Sequence, residues 1–372
     1  MIKIINFIWD TNYIDKVIMF EKFETNGVFN MEVFDVTIVG GGPAGLYSAF
    51  YSGMRDLKTK IIEFHPYLGG KVNIFLEKML WDIGGQPPIV AEKFIGQLIE
   101  QAMTFEPTVC LNSKVEHIEK QENLFVITTN NGEKHYSKTV IIAIGGGIFQ
   151  PIKLEIEGAE KYEMTNLHYT INGMERFAGK EILISGGGNA AIDWAVELLP
   201  IAKKLTVIYR SDELKAHEAQ IKKLKAHNVE ILLHTEIQSL VSNDEKTAIA
   251  HVIIRMGDVE KSVTVDDIII CHGYNREVSL DFAQGIIPKR NEHQLFESEG
   301  QCQTTTPGIF AVGDIVAYSD KVYLLVGTFN DAVLAVNGAK KYLEPEANSY
   351  AMVSSHNEKF RERNQKILVD IN

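Results

Sequence analysis

Phe34-Asp35-Val36-Thr37-Ile38-Val39 is a buried-strand run of apolar and β-branched residues, and it ends in a block of small residues from Gly40 to Gly45. A helix pattern follows through Ala49, Phe50 and Met54, and Lys60-Ile61-Ile62-Glu63 reads as the next strand. Strand, glycine turn, helix, strand is one βαβ unit. The order recurs downstream: the strand Glu181 to Ser185, the turn Gly186 to Asn189, a helix from Ala190 to Leu199, and the strand Leu205 to Tyr209. The chain therefore carries two such units.

Between them, Lys114 to Ile118, Phe125 to Thr129 and Thr139 to Ile144 read as strands of a β-meander closing the first unit. After the second unit, Val229 to Leu233, Ala250 to Arg255 and Asp267 to Cys271 repeat that strand-rich character. Gly308-Ile309-Phe310-Ala311-Val312-Gly313-Asp314 is then a strand ending in a glycine and an acid, and it is expected to return to the first sheet. The second unit thus becomes an insertion in the first. The expected fold is α/β with two Rossmann-like three-layer domains: residues 31–149 with 277–345, and the inserted 150–276. A helix is expected from about Phe329 to Leu343, beginning near Thr328, and a polar segment, 346–372, follows. Residues 1–30 lack the order of a signal peptide and are read as an N-terminal extension outside the fold.

The turns carry the candidate chemistry. Gly40-Gly41-Gly42-Pro43-Ala44-Gly45 fits G-x-G-x-x-G directly after a strand and at a helix start. Gly40 makes the tight turn, Gly42 lets backbone approach a pyrophosphate, and Gly45 lets helix and strand pack closely. The helix N-terminus presents unpaired N–H groups to the phosphates. Glu63 ends the next strand, where a carboxylate accepts ribose hydroxyls. In the second turn, Gly186, Gly188, Asn189 and Ala190 repeat the pattern, but the position equivalent to Glu63 carries Tyr209-Arg210, with Lys215 beyond. A carboxylate there would repel a 2′-phosphate, whereas Arg210 pairs with it; this favours NADPH over NADH. The alternative reading of Arg210 is a solvated charge at a strand end. Asp314 reads either as a ligand at the C-terminal edge of the sheet or as a turn acid and helix cap.

Length, charge and cysteines narrow the class. The 372 residues, 45% of them hydrophobic, suffice for two cores of ordinary domain size. A formal charge of −12 argues against nucleic acid as a partner, although an acidic surface is also a common route to solubility. No apolar run is long enough for a membrane span. Cys110, Cys271 and Cys302 are widely separated, with no C-x-x-C, so neither a disulfide framework nor a metal site is indicated, and thiols in a reducing cytoplasm are expected. Lys222-Lys223-Lys225 and Lys359-Arg361-Arg363 are local basic clusters, readable as docking sites or as solvated faces.

The order of these pieces, with the Leu68-Gly69-Gly70-Lys71 loop and Ile144-Gly145-Gly146-Gly147, resembles the thioredoxin-reductase-like flavoproteins from residue 31 to about 345. The resemblance implies FAD in the first unit, at Gly40, Gly42, Pro43, Ala44, Gly45, Glu63, Gly70, Lys71, Asp314 and Thr328. NADPH is implied in the second. Thioredoxin reductases carry a redox C-x-x-C ahead of the second glycine turn, where this chain has Tyr169-Thr170-Ile171-Asn172. Related reductases of small disulfides place a cysteine within the first turn, where this chain has Ala44.

What remains is similar to the bacterial ferredoxin–NADP reductases of the thioredoxin-reductase type. Asn166-Leu167-His168-Tyr169, Asp193-Trp194-Ala195, Ala216-His217-Glu218 and Ala335-Val336-Asn337 share in the match. By that resemblance NADPH reduces the bound FAD, electrons pass singly to ferredoxin or flavodoxin, and the enzyme is a homodimer. Phe75 and His356 are expected on the two faces of the flavin, His356 from a C-terminal segment laid over the flavin of the other chain. No protein side chain is assigned as an acid or base, because the flavin carries the chemistry. One departure weakens the NADPH preference: the family's arginine pair and later arginine are here Arg210, Ser211 and Lys215. Two other readings stand beside this one, an NADPH-dependent reductase of quinones, small disulfides or free flavin, and a non-catalytic flavin redox sensor.

Overall fold

A computed structural model describes residues 32–365, apart from 172, 228, 301 and 362 and the side chains of 149 and 276. The extension 1–30 and the last residues of the C-terminal segment, 366–372, lie outside the described residues.

The first sheet has eight strands. At its centre Val33–Val39 pairs in parallel with Thr59–Ile62 on one side and with Lys134–Ile142 on the other. Val115–Gln121, Leu124–Thr129 and Lys134–Ile142 are consecutive antiparallel neighbours, which is the meander. Alternation along the central strands explains why they read as nearly continuous apolar runs. Val36, Ile38, Ile61 and Ile141 face helices α1 (Pro43–Met54) and the C-terminal Leu325–Leu343, through Ala49, Ala335 and Val336. Val39, Ile62, Val140 and Ile142 face the opposite layer, with Leu280 and Phe296.

After Ile142 the chain leaves this sheet, and it returns as Asp281–Phe282 beside Val115–Gln121 and as Ile309–Ala311 beside Lys134–Ile142. Outgoing Ile148–Pro151 and incoming Tyr274–Glu277 pair with each other as an antiparallel ribbon. The second sheet, between them in sequence, has five parallel strands, with Glu181–Ser185 flanked by Asp267–Ile270 and Lys204–Ile208. Its one face packs on helix α3 (Asn189–Leu198) and on Leu224 of α4 (Glu218–Ala226); the other packs on a separate three-stranded antiparallel sheet through Val252, Ile254 and Val263. Ala250 to Arg255 thus belongs to a layer of its own, whereas Glu230–Leu232 and Asp267–Ile270 join the parallel sheet.

Three elements differ from the sequence reading. Helix α2 (Ala91–Ala102) was not anticipated, although Ala91, Phe94, Ile95, Leu98 and Ala102 mark one buried face at helical spacing. Helix α4 was read only as a cluster of lysines. The last helix, α5 (Leu325–Leu343), starts ahead of Thr328; Gly327 in its first turn and the lack of a capping side chain before it leave that start without the usual signal.

Candidate functional site

The first site is built where four segments meet. Gly40 has φ +108, and a Cβ on it would lie 2.5 Å from the Ala143 carbonyl oxygen; a Cβ on Gly45 would lie 1.9 Å from the Gly40 carbonyl oxygen. These two glycines are demanded by the fold itself. Gly42 is different, with φ −77 and only the Gly70 Cα, 3.6 Å away, near the position of a Cβ. The protein itself leaves room for a side chain here, and that space beside a helix N-terminus suits the approach of a pyrophosphate. Pro43 opens α1, where its lack of an N–H costs nothing.

Around this turn the remaining candidates converge. Glu63, 6% exposed, accepts the Gly41 N–H at 2.6 Å and the His65 N–H at 2.9 Å, one on each carboxylate oxygen. Each oxygen keeps a lone pair for a ribose hydroxyl. Gly69 donates its N–H to the Gly41 carbonyl, which brings Gly70, at φ +57, and Lys71 against the turn. Gly313 meets the same place from the other end of the chain: a Cβ on it would sit 3.1 Å from the Ala44 Cβ and 3.9 Å from the Thr328 Cγ2. The Lys71 ammonium lies 4.0 Å from the Asp314 carboxylate. None of the five helices has a side-chain cap, and the first turns of α1, α3 and α5 carry no acidic residue, whereas those of α2 and α4 carry Glu92 and Glu218. Uncapped N–H groups beside a glycine turn suit an anionic ligand. Residues Gly40 to Gly45, Glu63, Gly70, Lys71, Asp314 and Thr328 thus fit a dinucleotide such as FAD.

Phe75 is half-buried at the end of the 3₁₀ turn Gly70–Ile74, packed against the core cluster that contains Leu46 and Phe94. His356 is not brought to this site within one chain. The C-terminal segment docks on the far end of α1: Arg55 donates to the Asn348 carbonyl at 2.7 Å, Lys359 donates to that of Gly53 at 2.8 Å and pairs with Asp56, and Phe360 packs on Phe105 and Phe50. Twelve residues of helix, about 18 Å, separate that end from the glycine turn. Lys359 is therefore occupied within its own chain, while Lys222, Lys223 and Lys225 are exposed on α4.

The second turn repeats the logic. A Cβ on Gly186, φ +149, would lie 2.5 Å from the Cys271 carbonyl oxygen, and one on Gly187 would enter the Tyr209 ring. Gly188, at φ −88, has open space where its side chain would be. Asn189 and Ala190 start α3 and are exposed; the Asn189 Oδ1 accepts the His217 N–H. Lys215 donates its backbone N–H to the Gly187 carbonyl at 2.7 Å, so its side chain leaves from beside the turn. Arg210 is exposed at the end of Lys204–Ile208, and among the described residues no carboxylate pairs with it. The arrangement fits a phosphorylated dinucleotide. Sequence reasoning missed His272, whose Nε2 lies 2.8 Å from the Ser185 Oγ; desolvation of its ring, then the nearby Arg210 charge, hold its pKa below the ordinary histidine value.

Two sequence fragments with no obvious role join the units. Glu77 accepts the Gly173 N–H at 2.8 Å, and Lys78 pairs with Glu197 at 2.8 Å and Asp193 at 3.7 Å while lying over the Trp194 ring. Cys110, Cys271 and Cys302 are unbridged. Burial raises the Cys110 thiol, pushes Cys271 up to about 12 and raises Cys302 as well, so all three are protonated at neutral pH. Among the described residues no cluster of metal-ligating side chains exists, and no helix is long and apolar enough to cross a membrane.

Comparison with known proteins agrees with this architecture. The family described as pyridine nucleotide-disulphide oxidoreductase matches residues 34–339. Ferredoxin–NADP reductase 3 of Lysinibacillus sphaericus is 57% identical over 339 residues, spanning 90% of this chain and 97% of that protein. Ferredoxin–NADP reductase 1 of Oceanobacillus iheyensis is 51% identical over 342 residues, 91% and 98% of the two chains. Among solved structures, T. acidophilum thioredoxin reductase superposes with a TM-score of 0.65 at 21% identity, covering 85% of this chain and 99% of that one. A bacillithiol disulfide reductase from Staphylococcus aureus gives 0.61 at 18%, covering 85% and 100%. At such identities these two likenesses speak to fold alone. The two glycine turns, their sheets and the relatives agree: the chain belongs to the pyridine nucleotide-disulphide oxidoreductase family, among the bacterial ferredoxin–NADP reductases of thioredoxin-reductase type.

Proposed function

We propose that this chain is an NADPH-dependent flavoprotein that reduces ferredoxin or flavodoxin, holding FAD at the first glycine turn and NADPH at the second. The observation that carries the reading is the pairing of two uncapped glycine turns with opposite partners, a buried carboxylate at Glu63 and, at Arg210, an exposed cation with no carboxylate partner among the described residues. Bound FAD supplies the hydride acceptance and the release of electrons one at a time. The protein's part is binding and electrostatics. Glu63 accepts ribose hydroxyls, the α1 N-terminus takes the pyrophosphate, and Lys71 and Asp314 flank the ribityl and phosphate region. The α5 N-terminus stabilises negative charge on the reduced ring. In the second unit Arg210 and Lys215 take the 2′-phosphate and pyrophosphate charge.

The absence of sulfur at Ala44 and across Tyr169 to Asn172 supports a protein acceptor over a disulfide. The names of the relatives support ferredoxin as that acceptor; the extension to flavodoxin is our own. Three protonated, unbridged cysteines support a reducing cytoplasmic setting. The reading is tested by comparing NADPH-driven reduction of ferredoxin and flavodoxin with that of quinones, free flavin and small disulfides. Faster turnover of a small-molecule acceptor would overturn it.

A homodimer belongs to the same proposal. Tyr350, Met352 and Val353 in the C-terminal segment and Val322, Tyr323, Leu324 and Val326 at the start of α5 are exposed apolar residues, which supports their burial against a second copy. His356 then reaches the flavin of the partner rather than its own, with stacking worth about 1 kcal/mol. Truncation after Pro345 is expected to leave FAD bound, shift its visible spectrum, alter the hydride-transfer rate and weaken dimerisation. Unchanged spectra, rates and dimerisation in the truncated protein would remove His356 from the site.

A further inference from the structure

We infer that Asp331, together with Lys321 and Tyr318, is a positioning unit for the FAD site, fixing the Gly313–Asp314 turn and the start of α5 relative to the first glycine turn. This rests on the proposal that FAD occupies that site. Asp331 is 0% exposed and lies in α5 one turn beyond Thr328. Its Oδ2 accepts the Gly313 N–H at 2.9 Å and the Lys321 ammonium at 2.5 Å, and its Oδ1 accepts the Tyr318 hydroxyl at 2.5 Å. The Lys321 side chain is 2% exposed and also donates to the Val322 carbonyl at 3.3 Å. A single buried carboxylate therefore ties together the turn that carries Asp314, the loop 318–322 and the helix whose N-terminus faces the site.

The unit reaches the proposed FAD site through Gly313. Gly313, at φ +74, is the residue that abuts Ala44 of the glycine turn and Thr328 of α5. Its N–H orientation sets the direction in which the next side chain, Asp314, leaves the backbone. A buried carboxylate survives only with its charge paired and its lone pairs filled, and here both conditions are met. Burial and Asp331 raise the Tyr318 pKa, so its hydroxyl remains a donor at neutral pH. An aspartate elsewhere on the buried stripe of a helix would be a liability; at this position it has three donors to satisfy.

Asp331→Asn keeps the shape but places an amide N–H where an acceptor is needed, and it leaves the Lys321 ammonium buried and unpaired. The experiment uses the purified holoprotein, measuring FAD release on dilution by its recovered fluorescence, the visible spectrum of the bound flavin, and thermal unfolding. Asp267→Asn serves as the control, because Asp267 is also buried, accepting from Lys180 at 2.7 Å and lying 2.7 Å from the His168 Nε2, but in the other unit. Asp331→Asn is expected to weaken FAD binding ~10-fold or more and shift the flavin bands. Asp267→Asn is expected to lower the unfolding temperature while leaving FAD binding within about twofold. Equal weakening by both variants would mean that general destabilisation explains the effect, and FAD binding unchanged in Asp331→Asn would overturn the inference. If Asp331→Asn fails to fold, Tyr318→Phe removes one hydroxyl and leaves the ion pair. It is expected to weaken FAD binding a fewfold with the same spectral shift, and an unchanged spectrum and affinity would again overturn the inference. A parent protein that binds no FAD would instead sink the proposed function.

Discussion

Gly42→Ala is expected to yield a folded protein that purifies without flavin. The substituted Cβ would meet the Gly70 Cα at 3.6 Å, an ordinary contact, and φ −77 is open to any L-residue, so nothing in the protein resists the change. The same methyl occupies the space through which backbone approaches the pyrophosphate. Overpacking of that kind costs up to about 3 kcal/mol, or ~100-fold in FAD affinity. Gly45→Ala is the counterpart. Its Cβ would lie 1.9 Å from the Gly40 carbonyl oxygen, so strand and helix must separate and the protein itself should fail to fold. Circular dichroism and FAD titration distinguish the two outcomes. A Gly42→Ala protein that binds FAD with parental affinity would show that the pyrophosphate is not held at this turn.

Arg210→Ala should raise the KM for NADPH by about 10- to 100-fold, the range given by one lost charge-assisted pair with a phosphate of roughly 1.5–3 kcal/mol. The KM for NADH should move by no more than about twofold, because NADH has no 2′-phosphate to lose. The substitution is clean. Arg210 is exposed, and among the described residues it holds no ion pair whose loss would disturb the fold. Lys215, fixed through its backbone to Gly187, remains to supply part of the charge, so discrimination should fall without vanishing. Equal kinetics with both nucleotides in the unmodified enzyme would refute the assignment.

Both predictions rest on motifs visible in the sequence, and that has a physical cause. Glycine turns between strand and helix are local: Gly40, Gly45 and Gly186 are required by contacts with backbone held in fixed geometry by the adjoining strands. Apolar runs such as Val36 to Val39 are equally local signals of a sheet covered on both faces. What escaped the sequence is what depends on distant pairing. Lys78 meets Asp193, Trp194 and Glu197 across the two units, and no spacing rule links those positions. Asp331 meets Gly313, Tyr318 and Lys321 nearby in sequence but across a turn, a loop and a helix, where no spacing rule applies either; a carboxylate on the buried stripe of α5, between Thr328 and Ala335, was the available clue. Helix α2 has a legible apolar face at Phe94, Ile95 and Leu98, but no capping side chain precedes it, so the start signal that would mark it as a helix is missing. The docking of the C-terminal segment on Arg55 and Phe105 was beyond reach, since its polar sequence has no period that names a partner.

The measurement that bears most directly on the whole account is an anaerobic titration of the purified protein with NADPH, followed by addition of oxidised ferredoxin. The account predicts a yellow protein whose flavin absorbance is bleached by about one equivalent of NADPH, with NADH less effective, and recovers as ferredoxin is reduced. A colourless protein that takes up no FAD, or a yellow one that NADPH does not bleach, would contradict it.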